Sequence, residues 1–225
     1  MKRSEINRYI EEAKAFFAKH QFYLPPFAFW TAADWAKRGH EADEIRSSGL
    51  GWDVTTFGTA DFEKVGLLLV TLRNGKLGDS VNKKLYAEKI MIVREGQVTP
   101  WHFHSMKTED IINRGGGRLV CQLRNSTPQE DFADTPVTVS CDGVKQTIPS
   151  GGTVILDPGQ SVTFTPGLYH TFWAEPGKGI ALIGEVSSVN DDRTDNRFNP
   201  RLPRYSSIEE DAPPVHLLCN EYPAA

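Results

Sequence analysis

The sequence predicts a mainly β protein, a double-sheet jelly-roll β-barrel that carries an N-terminal helical extension. Short apolar segments with strand character follow one another from about residue 64, and Gly, Pro, Asn or Asp residues separate them. The first sixty residues show helical periodicity instead. A chain of 225 residues, with 39% hydrophobic and 24% charged residues, suits one structural domain of this kind.

The extension, residues 1–60, contains two predicted helices. The first covers 4–20, with Ser4 as its N-cap and an apolar stripe at helical spacing, and a Pro-Pro pair ends it. The second covers 31–47, with Thr31 as its N-cap. Glycines mark a loop after it. We expect the extension to pack on the barrel or on a partner subunit.

The barrel, residues 61–190, accounts for the strand-like segments, and the tail, residues 191–225, is polar, rich in proline and expected to cover the barrel. Turn residues such as the Asn-Gly and Asp-Gly pairs separate consecutive strands. Besides the segment around residue 101, strands are predicted at 65–72, 86–93, 118–123, 137–141, 144–148, 152–156, 162–165, 170–174 and 180–186.

Composition limits the classes of function. The net charge of −4 provides no basic surface for nucleic acid. No apolar run approaches the roughly 18 residues of a membrane-spanning helix, so we expect no membrane association. The charged N-terminal segment does not resemble a signal peptide, and the three cysteines fit no disulfide framework. We therefore expect a cytoplasmic protein.

Residues 101–109 contain the most informative pattern, W-H-F-H-S-M-K-T-E. His102 and His104 point to the same face if this segment is a β-strand, and a bend could bring Glu109 back towards them. Imidazoles and a carboxylate suit divalent transition metals, and His170 is the leading candidate for a fourth ligand. Alone, an H-x-H pair is also common on a solvated strand face.

The flanking residues favour the metal site. The string from Gly96 to Gly116, G-x5-H-x-H-x4-E-x6-G, resembles the first motif of the cupin superfamily at every fixed position. The segment from Gly159 to His170 resembles the second cupin motif. It departs from that motif because its Pro-Gly-x-x-His run is one residue short and lacks the usual final asparagine.

A more specific resemblance covers about residues 20–220. Segments 88–90, 96–104, 107–117 and 184–192 are similar to the D-lyxose isomerase family of cupins, and the E-D-I-I-N-R-G-G-G run at 109–117 is the most specific of them. The resemblance implies a homodimeric enzyme that interconverts D-lyxose and D-xylulose, and also D-mannose and D-fructose. It implies one divalent metal ion per chain, Mn²⁺ first and Co²⁺, Fe²⁺ or Zn²⁺ as alternatives. The implied ligands are His102, His104, Glu109 and His170.

The chemistry of such an isomerase requires a base that moves a proton between C2 and C1 of the sugar. Glu185, at the end of an apolar strand, is our choice, and we expect burial to raise its pKa towards neutrality. Lys107 can donate to the sugar oxygens, and Glu109 completes the expected catalytic set. Asp191 and Asp192 are alternative bases, and a hydride shift needs no base. The residues expected to contact the sugar are Lys89, Trp101, Lys107, Phe172, Asp191, Asp192 and Arg193.

Two other functions use the same predicted fold. A cupin dioxygenase would employ three histidines and one glutamate around Fe²⁺ or Cu²⁺, but the charged residues expected near the barrel mouth argue against an apolar substrate. A sugar-binding cupin without catalysis is the second alternative, although the sequence shows no attached output domain.

Overall fold

A computed structural model describes residues 1–81 and 83–225. The described chain forms three short or medium α-helices, two 3₁₀ turns and thirteen strands. The helices are α1 (Arg3–Lys19), α2 (Ala32–Trp35) and α3 (Asp43–Ser47), and the 3₁₀ turns cover Pro26–Phe29 and His40–Ala42. None of these helices combines the length and the apolar character that crossing a bilayer requires.

The strands form two antiparallel sheets. The larger sheet has the order β1-β2-β3-β12-β5-β10-β7-β8, and the smaller sheet has the order β13-β4-β11-β6-β9. The strands are β1 (Gly51–Thr55), β2 (Leu67–Asn74), β3 (Tyr86–Val93), β4 (Thr99–His104), β5 (Glu109–Gly116), β6 (Leu119–Asn125), β7 (Val137–Cys141), β8 (Val144–Ile148), β9 (Thr153–Leu156), β10 (Ser161–Phe164), β11 (Leu168–Ala174), β12 (Ala181–Ser188) and β13 (Asn196–Phe198).

The predicted fold class, a mainly β cupin jelly roll with an N-terminal helix, is confirmed. Alternating side chains of the two sheets face each other and form the barrel core, which includes Met91, Ile111 and Leu123. A second apolar cluster covers the outer face of the larger sheet, where α1 contributes Ile6, Ile10 and Phe17 among others. Helix α1 is therefore part of the packed structure.

The helical region differs from the prediction in two places. Helix α1 begins at Arg3, with Lys2 as its N-cap, because the Lys2 backbone N–H donates to the Glu5 carboxylate at 2.8 Å. Ser4 is not the cap; its hydroxyl donates to Asp211 at 2.7 Å. Residues 31–47 do not form one helix. Thr31 caps α2 as predicted, but that helix has only four residues.

The interruption after α2 has a local cause. Gly39 follows α2 and disfavours a continuous helix, since glycine loses more backbone freedom than other residues. The Arg46 guanidinium donates to the carbonyl oxygens of Gly39 and Arg38 at 2.8 and 2.9 Å. These carbonyl groups are thus satisfied without a helical turn.

Three strands, β1, β5 and β13, lie outside the residues where strands were predicted. Strand β1 occupies part of the expected loop and pairs with β2, and β13 lies in the tail and pairs with β4 in the smaller sheet. The glycines at 51 and 58 did not prevent strand formation, because all five residues of β1 are buried. Strands β1 and β13 matter for function, since they bring the N-terminal part and the tail to the barrel mouth.

The glycines at the end of β5 and directly after it explain why this sequence is so distinctive. Gly116 has a φ of +77°, and a Cβ atom there would lie 2.2 Å from the carbonyl oxygen of Ile180. A Cβ atom at Gly117 would lie 2.1 Å from the carbonyl oxygen of Gly179. The backbone just before β12 thus passes too close for any side chain, and this approach fixes the register of β12, which carries Glu185.

Candidate functional site

Two neighbouring strands of the smaller sheet bring three imidazole rings together inside the barrel. His102 and His104 lie two residues apart on β4 and share a face, and His170 on β11 pairs directly with His102. One nitrogen atom from each ring lies within 4.8 Å of those of the other two rings. All three side chains are buried.

The hydrogen bonds of the outer ring nitrogens determine which nitrogens face the centre. His102 Nδ1 lies 2.8 Å from the carbonyl oxygen of Pro100, and His170 Nδ1 lies 3.0 Å from that of Leu168. A carbonyl oxygen only accepts, so each Nδ1 carries the proton and each Nε2 keeps its lone pair. His170 Nε2 is buried and has no hydrogen-bond partner.

Burial keeps the rings of His102 and His104 neutral. It lowers the pKa of His102 well below its usual value, and the neighbouring rings of His170 and His104 lower it further. It also lowers the pKa of His104, and the Lys107 ammonium adds to that effect. A neutral imidazole with a free lone pair is the form that binds a metal ion.

Glu109, the first residue of β5, completes the donor set predicted from the sequence. Its Oε1 atom lies 3.4 Å from His104 Nε2 and 3.2 Å from His170 Nε2. Burial alone would raise the pKa of this carboxyl, but Lys107 and His104 outweigh that effect and hold the pKa well below its usual value. Three imidazoles and one carboxylate fit a divalent transition metal. His170 Nε2, which makes no hydrogen bond, supports the same conclusion.

Lys107 connects Glu109 with the predicted base. Its Nζ atom lies 2.6 Å from Glu109 Oε2 and 2.7 Å from Glu185 Oε1. Lys89 approaches the same Glu185 oxygen at 3.2 Å, so Glu185 faces the cavity between two lysines. These side chains are almost fully buried, which strengthens their mutual attraction.

The charge state of Glu185 differs from the prediction. Burial favours a higher pKa, as expected, but Lys107 and Lys89 outweigh burial and lower the pKa of Glu185 below its usual value. Burial alone would lower the pKa of Lys107, but the carboxylates of Glu109 and Glu185 outweigh that effect and raise it. The predicted rise of the Glu185 pKa towards neutrality is therefore wrong: Glu185 is a carboxylate and Lys107 an ammonium group.

Asp195 positions the segment that carries Lys107, and the sequence did not indicate this role. Its carboxylate accepts from the Ser105 hydroxyl at 2.8 Å and from the backbone N–H groups of Met106 and Lys107 at 2.7 and 3.2 Å. It also lies 3.7 Å from His104 Nδ1. Nothing in the tail sequence distinguishes Asp195 from the acidic residues beside it.

The charged side of the cavity continues beyond Glu185. Lys89 donates to the Asn190 side-chain oxygen at 2.7 Å. Burial alone would raise the pKa of Asp192, but Arg204, with Lys89 and Lys107, holds it well below its usual value. Asp192 lies 3.3 Å from Arg204 Nη2, which also donates to Asp53. Arg204, Asn190 and Asp53 were not predicted. Asp53 lies on β1, Asn190 follows β12 and Arg204 lies in the tail, whose path no local pattern revealed.

Aromatic and aliphatic side chains form the opposite side of the cavity. Phe172 lines it, as predicted, together with Phe57 and Phe198. Phe198 on β13 stacks on the His102 ring with 5.4 Å between centroids, and Phe57 lies 5.4 Å from Phe198. The cavity thus has one charged and one apolar side, which suits a sugar with hydroxyl groups and exposed C–H faces.

Three residues expected to contact the sugar lie elsewhere. Trp101 points to the opposite face of β4 from the histidines, and its ring lies 5.3 Å from that of Phe132. Asp191 accepts from the Thr194 hydroxyl at 2.8 Å within the tail. The Arg193 side chain is 86% exposed and pairs with Asp191. Among the expected contacts, Lys89, Lys107, Phe172 and Asp192 do line the cavity.

Comparison with solved structures shows the fold. An L-ribose isomerase from Cellulomonas parahominis superposes with a TM-score of 0.62 over 93% of this chain and 98% of that one, at 17% identity. The L-ribose isomerase of Geodermatophilus obscurus gives a TM-score of 0.60, with 93% and 98% coverage, at 16% identity. At these identities the likeness concerns the fold alone.

Sequence comparison shows the family. The D-lyxose/D-mannose isomerases of Serratia proteamaculans and Escherichia coli O157:H7 are each 51% identical to this chain over 223 residues, which is 99% of this chain and 98% of each relative. A similar enzyme from Thermosediminibacter oceani is 25% identical over 163 residues, 70% of this chain and 82% of that relative. The family profile described as D-lyxose isomerase matches residues 1–222. The chain is therefore a sugar isomerase that belongs to the D-lyxose isomerase family.

Proposed function

We propose that this protein is a metal-dependent aldose–ketose isomerase that interconverts D-lyxose and D-xylulose, and also D-mannose and D-fructose, by proton transfer through a cis-enediol. The observation that carries the proposal is that buried Lys107 lies between the carboxylates of Glu109 and Glu185. Glu109 in turn lies beside the three imidazoles. The names of the relatives at 51% identity support both substrate pairs.

His102, His104, Glu109 and His170 would hold one divalent ion, for which Mn²⁺ is the proposed identity and Co²⁺, Fe²⁺ or Zn²⁺ are alternatives. The bound ion would act as a Lewis acid towards the oxygen atoms on C1 and C2 of the sugar. The backbone carbonyl groups that bind His102 Nδ1 and His170 Nδ1 orient two of the ligands before any ion binds.

Glu185 would remove the proton from C2 of the aldose and return it to C1, which converts the aldose through an enediol into the ketose. Its carboxylate is ionised and buried, so it can accept a proton without first losing one. Lys107 would donate hydrogen bonds to the sugar oxygen that gains negative charge, because it is a fixed ammonium group beside Glu185. Proton exchange between O1 and O2 completes the reaction.

The quaternary structure and location are also part of this proposal. The family resemblance implies a homodimer, and the charged N-terminal segment and the cysteine content favour the cytoplasm. The division into an extension over 1–60, a barrel over 61–190 and a covering tail over 191–225 likewise stays a proposal. The described contacts of β1 and β13 support the view that all three segments form one structural unit.

A nuclear magnetic resonance assay in D₂O tests the function. Protein freed of metal is incubated with D-lyxose or D-mannose, before and after Mn²⁺ is added back. We expect ketose only after Mn²⁺ addition, with deuterium at C1 of the product, since the base exchanges its proton with solvent. Turnover without deuterium would contradict exchange with solvent during proton transfer. No turnover of either sugar by protein with one metal ion per chain would contradict the isomerase proposal.

A further inference from the structure

Two lysine nitrogens and two oxygen atoms form a closed ring at Glu185. The Nζ atoms of Lys89 and Lys107 contact Glu185 Oε1 at 3.2 and 2.7 Å. The same two Nζ atoms donate to the side-chain oxygen of Asn190 at 2.7 and 3.4 Å. Two cations this close repel each other where water is excluded, and a second shared acceptor offsets part of that repulsion. Asn190 therefore holds both lysines where they face the carboxylate.

The backbone of Asn190 is in turn held by the side chain of Asn74, the last residue of β2. Asn74 Oδ1 accepts from the Asn190 backbone N–H at 3.0 Å, and Asn74 Nδ2 donates to the Asn190 carbonyl oxygen at 2.9 Å. Nδ2 also donates to the carbonyl oxygen of Ser48 at 3.1 Å. The Asn74 side chain is buried, and both donor hydrogens of its amide are used. Three directed bonds thus fix the start of the segment after β12.

A β-bulge turns Asn74 towards this segment. The pairing of β2 with β3 shifts by one residue between Thr71 and Arg73. Strict alternation along the strand would place Asn74 on the face of Leu72, which packs in the cluster beneath α1. The extra residue reverses the alternation. Asn74 consequently pairs with Ala87, which shares a face with the cavity lysine two residues further along β3.

The glycine after Asn74 allows the close approach of the two segments. A Cβ atom at Gly75 would lie 2.0 Å from the carbonyl oxygen of Lys84 and 3.0 Å from Val189 Cγ2. Val189 directly precedes Asn190, so a side chain at position 75 would push against the segment that Asn74 holds. The Asn-Gly pair, which is typical of turns, has a second role here, because it joins the end of β2 to the residues that hold the lysines.

We propose that Asn74 is a positioning residue for the isomerisation, because it fixes Asn190 and thereby the two lysines beside Glu185. The inference rests on the proposed function, in which Glu185 moves the proton and Lys107 donates to the sugar oxygen. Asn74 does not line the cavity that holds the imidazoles, so it acts through Asn190. A displacement of about 1 Å among reacting groups costs about a hundredfold in rate, which sets the size of the expected effect.

Steady-state kinetics of Asn74→Ala with D-mannose provides the first test. We expect kcat per folded, Mn²⁺-loaded chain to fall about ten- to a hundredfold, while KM and metal content change little. The matched control is Asn113→Ala. Asn113 is also buried, and its amide donates to the carbonyl oxygens of Gly117 and Leu156 and accepts from the Gly115 N–H. Its loss should lower stability but not the kcat of the folded protein.

The lysine side chains provide a second readout that does not depend on turnover. Isotope-labelled lysine in protein loaded with diamagnetic Zn²⁺ allows the buried ammonium protons to be observed by nuclear magnetic resonance, and Lys89→Arg identifies the Lys89 signal. Ammonium protons that are buried and held by acceptors exchange slowly with water. We expect the Lys89 signal to disappear in Asn74→Ala and to persist in Asn113→Ala. The Lys107 signal should persist in both, because two carboxylates hold that group.

If Asn74→Ala does not fold, Asn74→Ser takes its place, because the serine side chain is polar but too short to bind both peptide groups of Asn190. Circular dichroism and thermal unfolding show which variants are folded. A folded variant with the wild-type kcat, or with both lysine signals unchanged, would overturn the positioning role. If the wild-type protein isomerises no sugar, the proposed function fails, and a lost Lys89 signal would still establish that Asn74 holds the lysines.

Discussion

At the scale of single residues, Lys107 is the side chain on which the site depends most. It lies between the Glu109 and Glu185 carboxylates, and both contacts are shorter than 2.8 Å. Without this ammonium group the two acids would repel each other in a buried place, and one of them would bind a proton. Lys107 therefore allows one carboxylate to serve as a metal ligand while the other remains an ionised base.

We expect Glu185→Gln to lower kcat for D-mannose by about a hundred- to ten-thousand-fold, the usual contribution of a general base. The amide keeps the size of the side chain and a hydrogen-bond acceptor for Lys107, so KM and metal content should change little. Steady-state kinetics and metal analysis of the purified protein check this. Glu175→Gln, at the Arg118 ion pair outside the cavity, is the control. A near-normal kcat for Glu185→Gln would favour a hydride shift.

Residues of the site could be predicted from the sequence where their place in the site depends on local geometry. His102 and His104 could be assigned because alternation along a strand is a local property, and Glu185 because it ends an apolar strand. Arg204 and Asp195 could not, since their places at the site depend on where the tail crosses the barrel. Trp101 was expected at the cavity although the alternation that joins the histidines turns it away.

At the scale of elements, α1 acts as a cover for the larger sheet. Its buried residues recur at helical spacing and contact the outer surface of β1, β2 and β3. Phe17 is 1% exposed, and its ring lies 6.2 Å from that of Trp52 on β1 and 6.0 Å from that of Phe22. The helix thus holds β1, and with β1 the residue Asp53, against the barrel.

We expect Phe17→Ala to lower the free energy of unfolding by about 3–5 kcal/mol, because it removes a buried ring and leaves a cavity. Phe16→Ala is the matched control on the same helix; its ring is only partly buried, and its effect should be less than half as large. Urea denaturation followed by circular dichroism measures both. Equal effects would show that α1 does not pack through the Phe17 face.

The predicted strands agree with the structure best where each is bounded by strong turn residues. Strands β3, β7 and β8 have the predicted ends, and the Asn-Gly and Asp-Gly pairs fall at the expected turns. Strand β1 was predicted as loop because glycines flank it, and β13 has only three residues. Their strand character comes from pairing with β2 and β4, which is a tertiary effect.

At the scale of the whole molecule, an ion-pair cluster at Arg3 connects the start of the chain with its tail. The Arg3 side chain is 2% exposed and binds the carboxylates of Glu210 and Glu221, at 2.6 Å for the former. The Arg3 backbone N–H also donates to the carbonyl oxygen of Glu209 at 2.9 Å. The tail is thereby fixed at positions that follow the segment crossing the barrel mouth.

We expect Arg3→Met to lower the free energy of unfolding by about 2 kcal/mol, since a buried cation is lost and its partners stay behind partly exposed. Arg8→Met removes the exposed pair with Glu12 and should change stability by about 0.5 kcal/mol or less. Chemical denaturation of both variants provides the comparison. A loss at Arg3 no larger than the loss at Arg8 would show that the cluster does not stabilise the fold.

The overall architecture was predictable because the short strands of a jelly roll and the turns between them produce a recurring pattern of apolar segments and turn residues in the sequence. The closing of the barrel mouth was not, because it depends on contacts between residues 53, 192 and 204, which are far apart in the chain. Long-range ion pairs of this kind have no sequence period.

The charged residues that line the cavity also have a consequence for which sugars can bind. Three cations among them are Lys107, Lys89 and Arg204, and each already faces at least one carboxylate. A phosphate ester would add about −1.5 to −2 charges without meeting a free cation. We therefore expect free sugars to be selected over sugar phosphates, so that D-mannose 6-phosphate does not inhibit turnover of D-mannose; competitive inhibition at millimolar concentration would disprove this. Isomerisation would then precede phosphorylation in any sequence of reactions that uses this enzyme.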